Sequence, residues 1–139
     1  MKRSQKRMKG LIHIYTGDGK GKTTAAIGLG VRACGRGMRV LMVQFLKGMP
    51  TGETLSLKAL EPGFVLYRGT RTTKFTWEMS EEEKDQAAAE QQSILEFAQK
   101  AVAKGECDLL ILDEVLGAVS SGMLEMKRLL EFVNGKPDG

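Results

Sequence analysis

A chain of 139 residues has room for one ordinary domain and excludes a large multidomain assembly. Its 42% apolar and 27% charged content, with only 3 Pro, is a globular balance that excludes a disordered or proline-rich segment. The net charge of +4 suggests nucleic acid only until it is located: Lys2, Arg3, Lys6, Arg7 and Lys9 lie in the first nine residues, and without them 16 bases face 17 acids. The expected organisation is therefore a basic N-terminal arm over residues 1–9 and a single, nearly neutral domain over residues 10–139.

Leu11-Ile12-His13-Ile14-Tyr15 follows the arm and reads as a buried strand that enters a tight glycine loop at Gly17, Gly19 and Gly21. The run is too short for a signal-peptide core, and no apolar run nears the roughly 20 residues that span a bilayer. Ala25, Ala26, Leu29 and Ala33 recur at helical spacing and predict a helix from Lys22 to Cys34, stopped by Gly35 to Gly37. Val40 to Val43 reads as a second buried strand. Such a strand, loop, helix and strand sequence builds parallel sheets with helices on their faces.

The stretch from Lys47 to Met79 is richer in Gly, Thr and charge, with one strand expected at Phe64 to Tyr67 and a long polar loop from Arg68 to Glu78. Long loops in compact α/β domains tend to carry function. Ser80 and Glu83 form a capping box for a helix running to about Lys104, with Glu81 and Glu82 adding negative charge to its first turn. Leu109 to Leu112 is another buried strand, closed by Asp113-Glu114, and a shorter helix is expected over Met123 to Phe132. Cys34 and Cys107 make no CxxC pair, which argues for a reduced, cytoplasmic protein in which both are small inert side chains. His13 reads as a strand residue, and Arg36 and Arg39 as solvated turn residues.

Thr16-Gly17-Asp18-Gly19-Lys20-Gly21-Lys22-Thr23, followed by Thr24, stands between a strand and a helix, where a nucleotide-phosphate loop belongs. Glycines let successive backbone N–H groups turn toward phosphate oxygens, the helix N-terminus adds partial positive charge, Lys22 adds a full one, and the Thr23 hydroxyl can ligate Mg²⁺. The usual pattern has glycine where this chain has Thr16, and Gly17 and Gly19 supply the flexibility instead. Asp113, an acid closing an apolar strand, is the expected partner of the Mg²⁺ shell. For Glu114 the residues leave three roles open: a metal ligand, a base that activates water, or a substrate contact.

A phosphate loop alone does not say which bond breaks. Three further strings narrow the choice: Gly21-Lys22-Thr23-Thr24-Ala25-Ala26, Val43-Gln44-Phe45-Leu46-Lys47-Gly48, and Phe75-Thr76-Trp77-Glu78. With Leu112-Asp113-Glu114 they make the chain resemble the P-loop type of cob(I)alamin adenosyltransferase, from about Gly10 to Asn134. The resemblance implies a three-layer α/β P-loop fold with a mostly parallel sheet, lacking here the C-terminal strands into which related enzymes continue. It implies transfer of the 5′-deoxyadenosyl group of ATP to the cobalt of a reduced corrinoid, with triphosphate released intact. Thr16 to Thr24 would hold ATP, and Thr23, Asp113 and Glu114 the Mg²⁺, for which Mn²⁺ could substitute. Lys22 would stabilise the leaving triphosphate, and Phe75 and Trp77 would form an apolar wall that keeps the lower axial ligand from cobalt.

The same resemblance implies a reductant protein such as a flavoprotein as partner, and the homodimer that the family commonly forms. Nucleic acid and membrane are not expected partners. Two other readings stand beside this one: a P-loop kinase or NTPase in which Glu114 activates an acceptor or water, and a nucleotide-dependent nucleic-acid-binding module that uses the basic arm.

Overall fold

A computed structural model describes residues 9–46, 51–69 and 80–139. Its elements are α1 (Lys22–Gly35), β1 (Val40–Gln44), α2 (Gly52–Lys58), β2 (Phe64–Arg68), α3 (Glu81–Ala103), β3 (Leu109–Asp113), α4 (Val115–Ser120) and α5 (Met126–Asn134). The strands form one parallel sheet in the order β2-β1-β3. Because β1 lies in the middle, all five of its residues are buried.

Alternation along β1 divides the core into two layers. Val40 and Met42 join Leu57, Phe64 and Ile111, against which Ala26, Ile27 and Ala33 of α1 pack. Leu41, Val43 and Phe45 face the other way and join Ile94, Leu95, Ala98 and Ala101 of α3, with Ala118 and Leu124 from the α4 region. The result is the expected three-layer α/β arrangement, helices on both faces of a parallel sheet. Tyr67 of β2 stacks on Phe97 of α3 with ring centroids 3.8 Å apart, and Arg128 of α5 reaches Glu96 of α3 at 3.5 Å.

The N-cap half of the predicted capping box is present: the Glu83 N–H donates to Ser80 Oγ at 3.1 Å, and α3 runs for 23 residues from there. Three readings need correction. Leu11 to Tyr15 is not a strand; Leu11 and Ile14 are 79% and 72% exposed, and the Gly10 N–H donates to Asp138 O at 2.6 Å. An apolar run becomes a strand only when a sheet edge accepts its backbone groups, and this run makes no ladder with β3.

The second correction is α2, which the composition of its region hid: Gly52-Glu53-Thr54-Leu55-Ser56-Leu57-Lys58 has little apolar period, and the helix is held by Thr51 and Thr54 at its start and by the burial of Leu57. Third, the helix expected over Met123 to Phe132 starts only at Met126, and a separate short helix, α4 (Val115–Ser120), precedes it where none was expected. Gly122 takes φ +79, the Met123 N–H caps α4 at Ala118 O, and Met123 and Leu124 plug the core from the connection before α5 starts at Met126. Arg39 is exposed, as expected, and is also engaged: its backbone N–H donates to Asp108 Oδ2 at 2.8 Å, and its guanidinium spans both Asp108 oxygens at 3.2 Å each. That fork joins the entries of β1 and β3 at the end of the sheet opposite the phosphate loop.

Candidate functional site

The carboxyl ends of β1 and β3 and the amino end of α1 converge. Gly21 is the N-cap of α1 with φ +104, and Gly17 takes φ +125, conformations a side chain would strain, so these two positions require glycine. The first turn of α1 carries no acid of its own, and Lys20 and Lys22 stand beside the positive end of its dipole. Lys22 curls into the loop and donates from Nζ to Gly17 O and Gly19 O, both at 2.6 Å. Its ammonium therefore sits inside the loop's curvature. A shallow depression of about 260 Å³, lined by Tyr15, Thr16, Lys20, Gly21, Lys22 and Ala25, opens beside it.

Thr23, one residue further along α1, donates its hydroxyl proton to Asp113 Oδ1 at 2.9 Å. This contact spans 90 residues of sequence and brings together the two residues expected at the cation. Asp113 is 8% exposed, and its backbone O accepts the Phe45 N–H at 2.9 Å, which ties the end of β3 to that of β1. A hydroxyl beside a carboxylate at a phosphate loop suits Mg²⁺, which takes one or two protein oxygens and fills its octahedron with phosphate and water. Among the described residues no group of three or more His, Cys, Asp or Glu side chains is placed to hold a metal ion.

Glu114 is exposed and left-handed, φ +64, as the N-cap of α4. Its Oε2 lies over Gly117, 3.3 Å from where a Cβ there would stand. Leu46, at the end of β1, has the same φ of +64. Non-glycine residues in this region cost about 1–2 kcal/mol each, and both stand where strands hand over to the site. Phe75 and Trp77 lie outside the described residues, as do Lys47 and Gly48.

Sequence reasoning did not single out three polar residues by role. Gln44 has no exposed surface; its Nε2 donates to Asp113 Oδ2 at 3.1 Å, and its Oε1 accepts from Arg68 Nε at 2.5 Å. Arg68, expected to open a polar loop, closes β2 instead and also donates to Thr51 Oγ1 at 3.2 Å. Gln91 on α3 is 4% exposed and accepts the Leu46 N–H at 3.0 Å, holding the left-handed turn after β1. The available signal was a glutamine ending an otherwise apolar strand, Val-Leu-Met-Val-Gln, because a buried amide demands partners. A second cleft, about 170 Å³ between Arg39, Pro62, Phe97 and Glu106, lies at the amino ends of the strands, away from this chemistry.

Residues 8–139 match the model of the family described as ATP:corrinoid adenosyltransferase BtuR/CobO/CobP. The chain is 37% identical over 130 residues to the corrinoid adenosyltransferase of Escherichia coli strain K12, an alignment covering 93% of this chain and 63% of that protein. Identity to the corrinoid adenosyltransferase CobA of Salmonella typhimurium is also 37%, with the same coverage. For the corrinoid adenosyltransferase of Pseudomonas aeruginosa it is 35%, over 93% of this chain and 62% of the relative. The chain thus spans about 63% of the length of the curated relatives it matches best among these three.

Proposed function

This chain belongs to the ATP:corrinoid adenosyltransferase family, and from that premise we propose that it transfers the 5′-deoxyadenosyl group of ATP to the cobalt of a reduced corrinoid. Residues 10–139 act as one nucleotide-binding domain, with residues 1–9 as an appended arm. The observation that carries the reading is the Lys22 ammonium inside the Gly17–Gly21 loop, one residue from the Thr23–Asp113 contact. Family membership supports the choice of bond; the loop supports the choice of leaving group.

Triphosphate replaces the Gly17 and Gly19 carbonyls as the partner of Lys22, which brings a full positive charge to oxygens that gain negative charge as C5′–O breaks. The amides opening α1 add their dipoles at the same place. Thr23 and Asp113 would hold Mg²⁺, with Mn²⁺ as a substitute and Glu114 as the further acid reached from the start of α4, and the bound cation would supply countercharge to the triphosphate. The electron pair of Co(I) forms the bond to C5′, and the pair of the broken C–O bond leaves on triphosphate. No base is required to make the nucleophile. Holding cobalt and C5′ in line is accordingly the larger task, worth roughly 7–11 kcal/mol in well-oriented reactions. Phe75 and Trp77 supply an apolar wall on the corrinoid, a protein such as a flavoprotein supplies the electron that makes Co(I), and two chains work as a dimer in the cytoplasm.

The test supplies ATP, Mg²⁺ and chemically reduced cobalamin under anaerobic conditions. A light-sensitive cobalt–carbon product with one triphosphate per turnover is the expected result. ADP with phosphate, or a phosphorylated acceptor, overturns the reading in favour of a kinase or NTPase. The wall has its own test: unchanged turnover of cob(II)alamin after joint Phe75→Ala and Trp77→Ala substitution removes it.

A further inference from the structure

We infer that Gln44 is a positioning residue for the cation side of the nucleotide site, acting through Asp113. The inference rests on the reading of the loop as an ATP site and adds a residue to it. Its argument begins at Arg68. A guanidinium has donors only, so the Gln44 atom facing Arg68 Nε at 2.5 Å is the amide oxygen. That assignment removes the usual ambiguity between amide oxygen and nitrogen. The amide nitrogen then faces the other way and donates to Asp113 Oδ2 at 3.1 Å.

Asp113 is thereby held as an acceptor, with Oδ1 turned to the Thr23 hydroxyl at 2.9 Å. With its O–H pointed at Asp113 in a hydrogen bond, the Thr23 oxygen keeps lone pairs for a cation, the form in which a hydroxyl ligates Mg²⁺. The direction of the Gln44–Asp113 bond follows from the fixed donor character of Arg68, and that of the Thr23–Asp113 bond from the acceptor character of the carboxylate. Gln44 has no exposed surface, so solvent cannot take over its bond when the side chain is changed. The far end is anchored as well, because Arg68 also donates to Thr51 Oγ1 at the start of α2. Partners that orient a ligand from behind commonly set cation affinity without touching the cation.

Isothermal titration of the whole chain with ATP, without corrinoid, tests this in Mg²⁺ and again in EDTA. Gln44→Met removes both hydrogen bonds, whereas Gln44→Glu can keep Arg68 but gives Asp113 no N–H. Both variants should weaken ATP binding in Mg²⁺ by about tenfold and leave binding in EDTA unchanged. Arg68→Met should shift binding the same way, and Arg68→Lys, which retains a donor for Gln44 Oε1, should restore it. Equal loss in Mg²⁺ and EDTA would show Gln44 to be packing alone and overturn the inference, as would no loss in either. Wild-type chain that fails to bind ATP in Mg²⁺ overturns the nucleotide reading itself, a result distinct from a wild type that binds beside variants that do not change.

Discussion

In the proposed reading Lys22, Thr23 and Asp113 carry the chemistry, and each can be tested separately. Lys22→Ala should lower adenosyl transfer at least about a hundredfold, the scale seen when one donor to a developing anion is lost. A stopped anaerobic assay for the cobalt–carbon product measures it, and retained activity would remove Lys22 from its role. Asp113→Asn presents an N–H toward either Thr23 or Gln44, both of which are donors to this side chain. One buried bond is lost and two donors meet, so the variant should be less stable by about 1–3 kcal/mol, read from the urea midpoint. Burial pushes the Cys107 thiol up, against the pull of Arg39 in the other direction. Alkylation of Cys107 should therefore gain speed only at a pH above that at which a free thiol reacts.

At the scale of elements, α1 carries two glycines with opposite roles. Gly30 faces the sheet, and a Cβ there would stand 2.5 Å from Phe64 and 3.1 Å from Ile111, so Gly30→Ala should destabilise by about 1–3 kcal/mol despite its better helix propensity. A Cβ at exposed Gly28 meets nothing within 4 Å, and Gly28→Ala should stabilise by up to about 1 kcal/mol. Thermal unfolding of the pair distinguishes packing from propensity. At the start of α4, Glu114→Gly relieves a left-handed φ of +64 and should raise stability by about 1 kcal/mol while weakening the cation site. Gain of stability together with loss of activity would mark Glu114 as a strained residue kept for function; gain of both would count against its place at the cation.

For the molecule as a whole, the charge map argues against a nucleic-acid surface in the domain, because the excess of bases lies in the arm. Removing residues 1–9 should leave Tm unchanged and abolish retention on heparin at low salt. Retention that survives the deletion would favour the nucleic-acid-binding alternative. Ligand binding gives a second global readout: Mg²⁺ with ATP at a hundred times its Kd should stabilise the fold by about 2.7 kcal/mol. Lys22→Ala should erase that shift in a thermal melt without lowering the melt of the chain alone.

Periodicity and apolar runs were enough to locate α1, β1, β2, α3 and β3, because each either buries a continuous stripe or stands between strong caps, as Ser80 does for α3. The glycine loop before α1 was equally legible, since the positive φ of Gly17 and Gly21 is a matter of local backbone geometry. What tertiary structure decided was every matter of partnership. Leu11 to Tyr15 has the composition of a strand but no ladder with β3, Arg39 has an acid 69 residues away, and Gln44 acquires a role only where β1 passes between Arg68 of β2 and Asp113 of β3. Local sequence determines what a segment can do, whereas pairing of strands and satisfaction of buried polar groups depend on which distant residues the fold brings alongside.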